Sequence, residues 1–297
     1  MSVGARDVAG LDELRDASGR FRVLAIDHRD SLRQFLTRGS SSDGGSGRVV
    51  SDAEITSMKI ELVGAVSPLA TGVMLEPEYS IPQVIEAGAL APGVGFFAAL
   101  ESQGYLDNPG AGPTTVLEGW SVAAAAASGA SCAKVLLPFH PDHPLAVEQE
   151  RVAAVLLAEC RRVGIPLVME PLFFGLSSPE DRLRVVLETA ERFAALGPDL
   201  LKLPFPVDPV EVVDRSVWLD ACRQVTERCS MPWALLSGGG DFDLFLEQVR
   251  VSADAGCAGF MVGRALWGEW ALANEADRPS VIAETVLPRW ERLRSVA

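Results

Sequence analysis

The sequence predicts an α/β protein, a closed (β/α)8 TIM barrel, on three observations. Eight short apolar runs recur along the chain, each followed by a longer amphipathic stretch, and strands alternating with helices imply parallel strands joined by helical crossovers. Eight such units occupy about 270 residues, the size of such a barrel. The rival architecture, a doubly wound open sheet, wants a glycine fingerprint after its first strand, whereas here that strand runs into Asp27-His28-Arg29. The nominal GxGxxA match from Gly93 to Ala98 follows Ala91-Pro92 and falls inside a strand, so it carries no weight as a dinucleotide site. No break in composition marks a second domain, and one domain is expected over residues 1–297.

The strands are expected at Arg22–His28, Gly72–Tyr79, Gly93–Ser102, Cys132–His140, Pro166–Phe174, Leu200–Val207, Pro232–Gly239 and Gly259–Trp267. Asp52–Val66 has a helical period, and Thr114–Gly129 is an alanine-rich helix closed by glycine. Leu145–Val163 ends with Arg161, Arg162 and Gly164, a basic last turn followed by a C-terminal glycine. Ser178-Pro179-Glu180-Asp181 reads as a serine cap, a proline and acids in the first turn. Asp208-Pro209-Val210-Glu211 and Asp241–Gly256 repeat that pattern, and Trp270–Val296 closes the chain. The glycine- and serine-rich stretch Arg38–Arg48 lies between the first strand and the first clear helix. It is a surface loop or a lid over the barrel mouth.

Forty acidic against 26 basic residues give a net charge of -14, which argues against nucleic acid and anionic membranes as partners. An anionic substrate would need a local positive site. The five cysteines form no CxxC pair; their odd number and apolar settings imply buried thiols in a reducing compartment. Residues Met1 to Arg20 mix both charges without an apolar core, unlike a signal peptide. No apolar run reaches the roughly 20 residues of a membrane span, and a cytoplasmic location is expected.

Only three of the 26 basic residues are lysine: Lys59, Lys134 and Lys202. An ammonium can lose its proton and become a nucleophile, whereas a guanidinium stays charged. Lys134 and Lys202 sit in strand-like apolar runs, where desolvation favours the neutral amine that attacks a carbonyl. In a barrel, function gathers at the carboxyl ends of the strands. Those ends carry Asp27-His28-Arg29, Glu76-Pro77-Glu78, Glu101, Lys134, Glu170, Lys202, Ser237-Gly238-Gly239-Gly240 and Gly263-Arg264. Strands four and six lie roughly 10 Å apart, so Lys134 and Lys202 can both reach Glu170 on the strand between them. Either the amines serve catalysis, or Lys134 and Glu170 form an internal ion pair beside a bystander Lys202.

Glycines at the end of strand seven let backbone N–H groups approach a phosphate, and the helix start that follows favours negative charge. Arg264, after strand eight, would add a bidentate cation, at the loops where barrel enzymes recurrently bind phosphate. Lys59 lies mid-helix and reads as part of a solvated face. Three histidines exist, His28, His140 and His143. The proline inside His140-Pro141-Asp142-His143 argues against an ordered pair of ligands, so neither a metal nor another cofactor is expected.

Taken together and in order, these segments resemble the class I tagatose-1,6-bisphosphate aldolase family, which includes sulfofructosephosphate aldolases. The similarity runs from about Arg22 to Trp267. Its landmarks are Ala25-Ile26-Asp27-His28-Arg29, Leu75-Glu76-Pro77-Glu78-Tyr79, Gly119-Trp120-Ser121-Val122, Ala133-Lys134-Val135-Leu136-Leu137, Leu200-Leu201-Lys202 and Gly263-Arg264-Ala265-Leu266-Trp267. The resemblance implies a barrel with a Schiff-base mechanism. Lys202 matches the family's Schiff-base lysine, Glu170 its acid/base carboxylate, Lys134 the supporting lysine and Asp27 the acid of the first strand. Ser237, Gly239, Gly263 and Arg264 fall where the family binds the C1 phosphate of a ketose. The chain departs from the pattern at His28, where Gln is frequent, at Glu76, commonly Asp, and at Leu203-Pro204-Phe205-Pro206, where the bisphosphate enzymes are more polar. These departures bear on the far end of the substrate.

The expected activity is cleavage of a phosphorylated ketose to dihydroxyacetone phosphate and a three-carbon aldehyde. Arg29 and His28 are candidates to meet the distal anion. The alternatives are a sulfonated ketose, a deoxy-keto acid phosphate of polyol catabolism, or a non-catalytic sugar-phosphate sensor. The resemblance also implies a homo-oligomer.

Overall fold

The computed structural model describes residues 9–40, 49–104 and 108–297. Its centre is a closed parallel barrel of β1 (Phe21–Ala25), β2 (Gly72–Leu75), β3 (Gly95–Ala99), β4 (Cys132–Phe139), β5 (Leu167–Phe173), β6 (Leu200–Leu203), β7 (Trp233–Leu236) and β8 (Gly259–Val262), paired in chain order, with β8 returning to β1. The closing seam depends on Gly259. Its φ of 141° is open to glycine, and a Cβ there would collide with the Phe21 carbonyl.

The helices are α1 (Ala9–Asp12), α2 (Asp30–Ser40), α3 (Asp52–Val66), α4 (Ile81–Glu86), α5 (Val122–Ala127), α6 (Ala146–Val163), α7 (Asp181–Leu196), α8 (Arg215–Arg228), α9 (Phe242–Asp254), α10 (Arg264–Leu272), α11 (Arg278–Val281) and α12 (Leu287–Val296). A period of two sends alternate strand residues inward and outward. Outward residues such as Leu24, Val73, Leu201 and Phe260 pack under the helices, with Trp218, Trp267 and Trp290 among the fully buried side chains of that shell. Each large apolar side chain so enclosed contributes about 1.5–3 kcal/mol. Inward residues Phe21, Val23, Met74, Phe97, Cys132, Val168, Leu200, Ala234 and Met261 fill the barrel. Leu11 and Leu14, ahead of β1, seal its lower end against them.

Most elements lie where the sequence places them, but the strands are shorter. β6 stops at Leu203 and β8 at Val262, because Pro204 cannot extend a hydrogen-bonded ladder and Gly263 is already the N-cap of α10. The expected helix from Asp208 is instead a turn. Asp208 Oδ1 accepts from Val210 N at 2.9 Å, and α8 starts at Arg215, capped by Asp214. The alanine-rich helix is confined to Val122–Ala127 with Ser121 as its cap, since Val116 forms an antiparallel bridge to Glu101. The turn at Ser178 precedes α7, whose first residue is Asp181. Trp270–Val296 is broken into three helical pieces joined in part by a π turn at Ile282–Val286. Of the expected loop Arg38–Arg48, residues 38–40 instead close α2, and those from 41 to 48 lie outside the described residues.

Candidate active site

The register brings the lysines together. Ala99 pairs with Lys134, Leu136 with Glu170, and Lys202 with Ala234, while Met169 pairs with Leu201, one residue before Glu170 and Lys202. Lys134, Glu170 and Lys202 therefore all point into the barrel, Lys134 in register with Val168 and the other two one inward step beyond the Val168–Leu200 pair. Each is no more than 6% exposed, so every polar atom there needs a partner.

Glu170 supplies it on both sides. Lys202 Nζ lies 2.8 Å from Glu170 Oε1, and Lys134 Nζ lies 3.1 Å from Oε2. Lys134 Nζ also donates to Asp27 Oδ2 and Glu101 Oε1, each at 2.7 Å. One ammonium thus ties together three carboxyl groups, one from β5 and two from just past the ends of β1 and β3. The second Glu101 oxygen accepts from Leu136 N at 3.1 Å, which locks Glu101 to β4. Lys202 has a different environment. Beyond Glu170 its amine meets the Met74 sulfur at 3.7 Å, and it lines a cavity of about 180 Å3 with Glu170, Leu172, His28, Ser237 and Arg264. Burial by itself would raise the Asp27 carboxyl, but the Lys134 and Lys202 cations outweigh it and hold Asp27 well below the usual carboxylate range.

The far wall of the cavity is built from glycine. Gly238 and Gly239 adopt φ of 61° and 77°. A Cβ on Gly239 would sit 3.0 Å from Arg264 Nε and Nη2, so the guanidinium lies flat over that turn. Gly263 is equally tight, since its Cβ would be 3.0 Å from His28 Cε1, and its N–H donates to Ser237 Oγ at 3.2 Å. The helix start next to this wall is not the expected one. Asp241 caps α9 with its own carboxylate, accepting from Leu244 N at 2.9 Å. α10 begins at Arg264 with Gly263 as a cap that offers no side chain, so no cap carboxylate stands at its start. Burial pushes the His28 imidazole down to about 3; Arg264 and Lys202 add to the shift and Asp27 opposes it. His28 is therefore a neutral group beside Arg264.

Two expectations are corrected. Arg29 does not face the cavity. It is 2% exposed, pairs with Glu78 Oε2 at 2.6 Å and donates to the Glu101 carbonyl, because β1 has ended and the chain turns it outward between loops two and three. Lys59 is not on a solvated face. It is fully buried and donates to Glu76 Oε1. Glu76 in turn accepts from the N–H groups of Glu78 and Tyr79 and from the Ser80 hydroxyl, so the pair shapes the loop that carries Glu78. Burial drives the Lys59 amine below its ordinary pKa, with Glu76 opposing. Glu101 stands at an expected strand end to which the sequence alone assigns no role. Its signal was an acid ending an apolar strand, the same signal that singled out Glu170.

A closed barrel with a dry lysine–carboxylate cluster under a glycine-lined cavity defines an enzyme that works at the carboxyl ends of its strands. The model of the DeoC/LacD family aldolases matches residues 22–269, and the chain belongs to that family. It is 25% identical over 280 residues to the tagatose 1,6-diphosphate aldolase of Streptococcus agalactiae serotype V, covering 86% of this chain and 83% of the relative. It is also 25% identical over 284 residues to that of Listeria monocytogenes serotype 4a, covering 88% and 81%. Among solved structures, a Schiff-base-forming fructose-1,6-bisphosphate aldolase superposes with a TM-score of 0.66 at 18% identity over 98% of this chain and 99% of the other. The fructose-bisphosphate aldolase of Slackia heliotrinireducens gives 0.65 at 14% identity over 99% and 94%. No helix among the described residues is long and apolar enough to cross a membrane.

Proposed function

We propose that this chain is a class I aldolase that cleaves a phosphorylated ketose of the tagatose-bisphosphate type to dihydroxyacetone phosphate and a three-carbon aldehyde, with Lys202 as the Schiff-base nucleophile. The observation that carries the reading is Glu170 standing between two buried amines, 2.8 Å from one and 3.1 Å from the other. Of those two amines, the one that also lines the cavity is Lys202. Lys134, enclosed by three carboxyl groups, has no room to receive a carbonyl carbon.

The chemistry follows from those positions. Lys202 gives a proton to the adjacent Glu170, the resulting amine adds to the C2 ketone, a second proton passes from nitrogen to the former carbonyl oxygen, and Glu170 returns its own to that hydroxyl as it leaves. Loss of water from the carbinolamine gives an iminium, which accepts the electron pair of the C3–C4 bond as that bond breaks. Glu170, held by Lys134, takes the proton of the C4 hydroxyl, the aldehyde departs, and the remaining enamine is protonated at C3 and hydrolysed. A positioned base of this kind contributes about 10²–10⁴-fold. Asp27, kept ionised by the two lysines, orients the carbinolamine or the C3 hydroxyl. The C1 phosphate is received by the Ser237–Gly240 turn, the positive end of α10 and the Arg264 guanidinium, with neutral His28 as a hydrogen-bonding neighbour.

The test is borohydride reduction in the presence of dihydroxyacetone phosphate, followed by peptide mass spectrometry. The expected result is a reduced adduct on Lys202 in the native protein and none in Lys202→Arg, whose turnover falls to background. An adduct elsewhere, or full turnover by Lys202→Arg, refutes the assignment.

A further inference from the structure

The distal end of such a substrate has no cation among the residues first suggested for it. Arg29 is consumed by Glu78 and Glu101, and His28 is neutral and packed against Gly263, at the phosphate end. A second cavity, of about 320 Å3, adjoins the first and shares Leu172, Leu236, Ser237 and Gly238 with it. Pro204 and Phe205, which follow the end of β6 at Leu203, form part of its wall.

Besides Ser237 and Asp241, which caps α9 through Oδ1, this second cavity is lined by two side chains with unused donor capacity. Arg182, in the first turn of α7, is the one cation among its lining residues. Its side chain is 18% exposed, its Nε donates to the Phe205 carbonyl at 3.0 Å, and its guanidinium rests over the Phe173 ring. The nearest carboxylate to its Nη atoms is Asp208 at 3.9 Å, and among the described residues those atoms make no hydrogen bond. Gln248, from α9, is 8% exposed, and among the described residues its amide has no hydrogen-bond partner. The free atoms of both groups open onto the same void rather than being sealed from water, so acceptor oxygens of a ligand can take the place of solvent there.

The path to it follows β5. Glu170 and Leu172 project from the same face of that strand, and both line the reaction cavity. Leu172 also lines the second cavity, and the helix that follows β5 presents Arg182 there. A ketose with C2 at Lys202 and C4 at Glu170 therefore has its last carbons rising past Leu172.

On the reading proposed above, we infer that Arg182, with Gln248, forms the subsite for the anionic group at the distal carbon of the substrate, a phosphate or a sulfonate. Both are tetrahedral oxyanions that an arginine fork and a primary amide can share. The apolar walls of Phe173, Phe205 and Leu244 would keep water from that pairing and strengthen it. These two residues then set specificity without touching the bonds that change.

The experiment measures kcat/KM for a ketohexose 1,6-bisphosphate, for the matching 6-sulfo ketohexose 1-phosphate, and for the ketohexose 1-phosphate with a plain 6-hydroxyl. In Arg182→Met the ratio of a 6-anionic substrate to the 6-hydroxyl one is expected to fall about 10- to 100-fold, the worth of a charged hydrogen-bonding partner. Gln248→Leu should lower it less, and Arg182→Lys should recover part of it. Whichever 6-anionic substrate shows the drop identifies the distal group. A merely structural role for Arg182 would lower all three values together. If the ratio is unchanged for both anions, the subsite is refuted. Borohydride trapping with dihydroxyacetone phosphate, which lacks a distal group, judges the Lys202 mechanism separately in the same preparations. Should trapping fail in the native protein, calorimetric binding of the bisphosphate against the 1-phosphate applies the same ratio criterion to Arg182.

Discussion

His28 shows how a single side chain couples the site to solution conditions. Its folded pKa of about 3 lies below the ordinary 6.5, so between those values the unfolded chain binds a proton that the folded chain refuses. Stability rises with pH across that window, is fully present above 6.5, and is lost as pH falls toward 3. The depressed Asp27 acts in the same sense lower down, its contribution being lost only below 3.8. In His28→Asn the difference between urea midpoints at about pH 4 and about pH 7 should narrow; an unchanged difference would mean that His28 is not the group responsible. At this scale the sequence was partly legible. Lys134, Lys202 and Glu170 were found because ionisable groups in apolar strand runs are rare. Lys59 was missed because a lone lysine in a helix has the same local pattern whether it meets water or, as here, Glu76 of a neighbouring loop. Arg29 was misplaced because the expected first strand ran three residues past its true end at Ala25, and which side of the barrel a residue takes depends on that end.

Among the elements, the glycine turn after β7 and the start of α10 act as a unit. Gly239 holds φ of 77° while the Arg264 guanidinium lies over it. Gly239→Ala adds a Cβ that pushes the guanidinium away and costs about 1–2 kcal/mol in left-handed backbone energy. Its expected signature is a KM for phosphorylated ketose raised about tenfold, the loss of one charged hydrogen bond, with kcat less affected. Steady-state kinetics with a saturable substrate series decide it, and an unchanged KM removes the turn from phosphate binding. The glycine run itself was plain in the sequence. Which helix opens the site was not, since Asp241 reads equally well as the first residue of a receptive helix and as the cap that closes it. The Arg182–Gln248 cavity was illegible for a related reason. Its wall includes Pro204 and Phe205, just past the end of β6, and an apolar run ending Leu203-Pro204-Phe205 gives no clear sign of where its ladder stops.

For the whole molecule, closure is the decisive property, and it was the most legible one. Eight alternations of apolar run and amphipathic stretch leave few arrangements other than a ring of parallel strands. What the pattern could not give is the seam, where β8 must pass within touching distance of β1. Gly259→Ala should cost more than about 4 kcal/mol, the range reserved for severe backbone or core damage. Gly88→Ala is the fitting comparison, because Gly88 also has positive φ, 62°, but its Cβ would meet nothing within 4 Å. Denaturant unfolding of the two variants should separate them clearly, and equal losses would show that the seam tolerates a methyl group. The plug formed by Leu11 and Leu14 beneath the inner side chains has its own bearing on traffic. Among the described residues it stops the chamber from below like a cul-de-sac, so reactant, both fragments and every shuttled water share the doorway above, and whatever is tethered to Lys202 must wait for the freed aldehyde to pass.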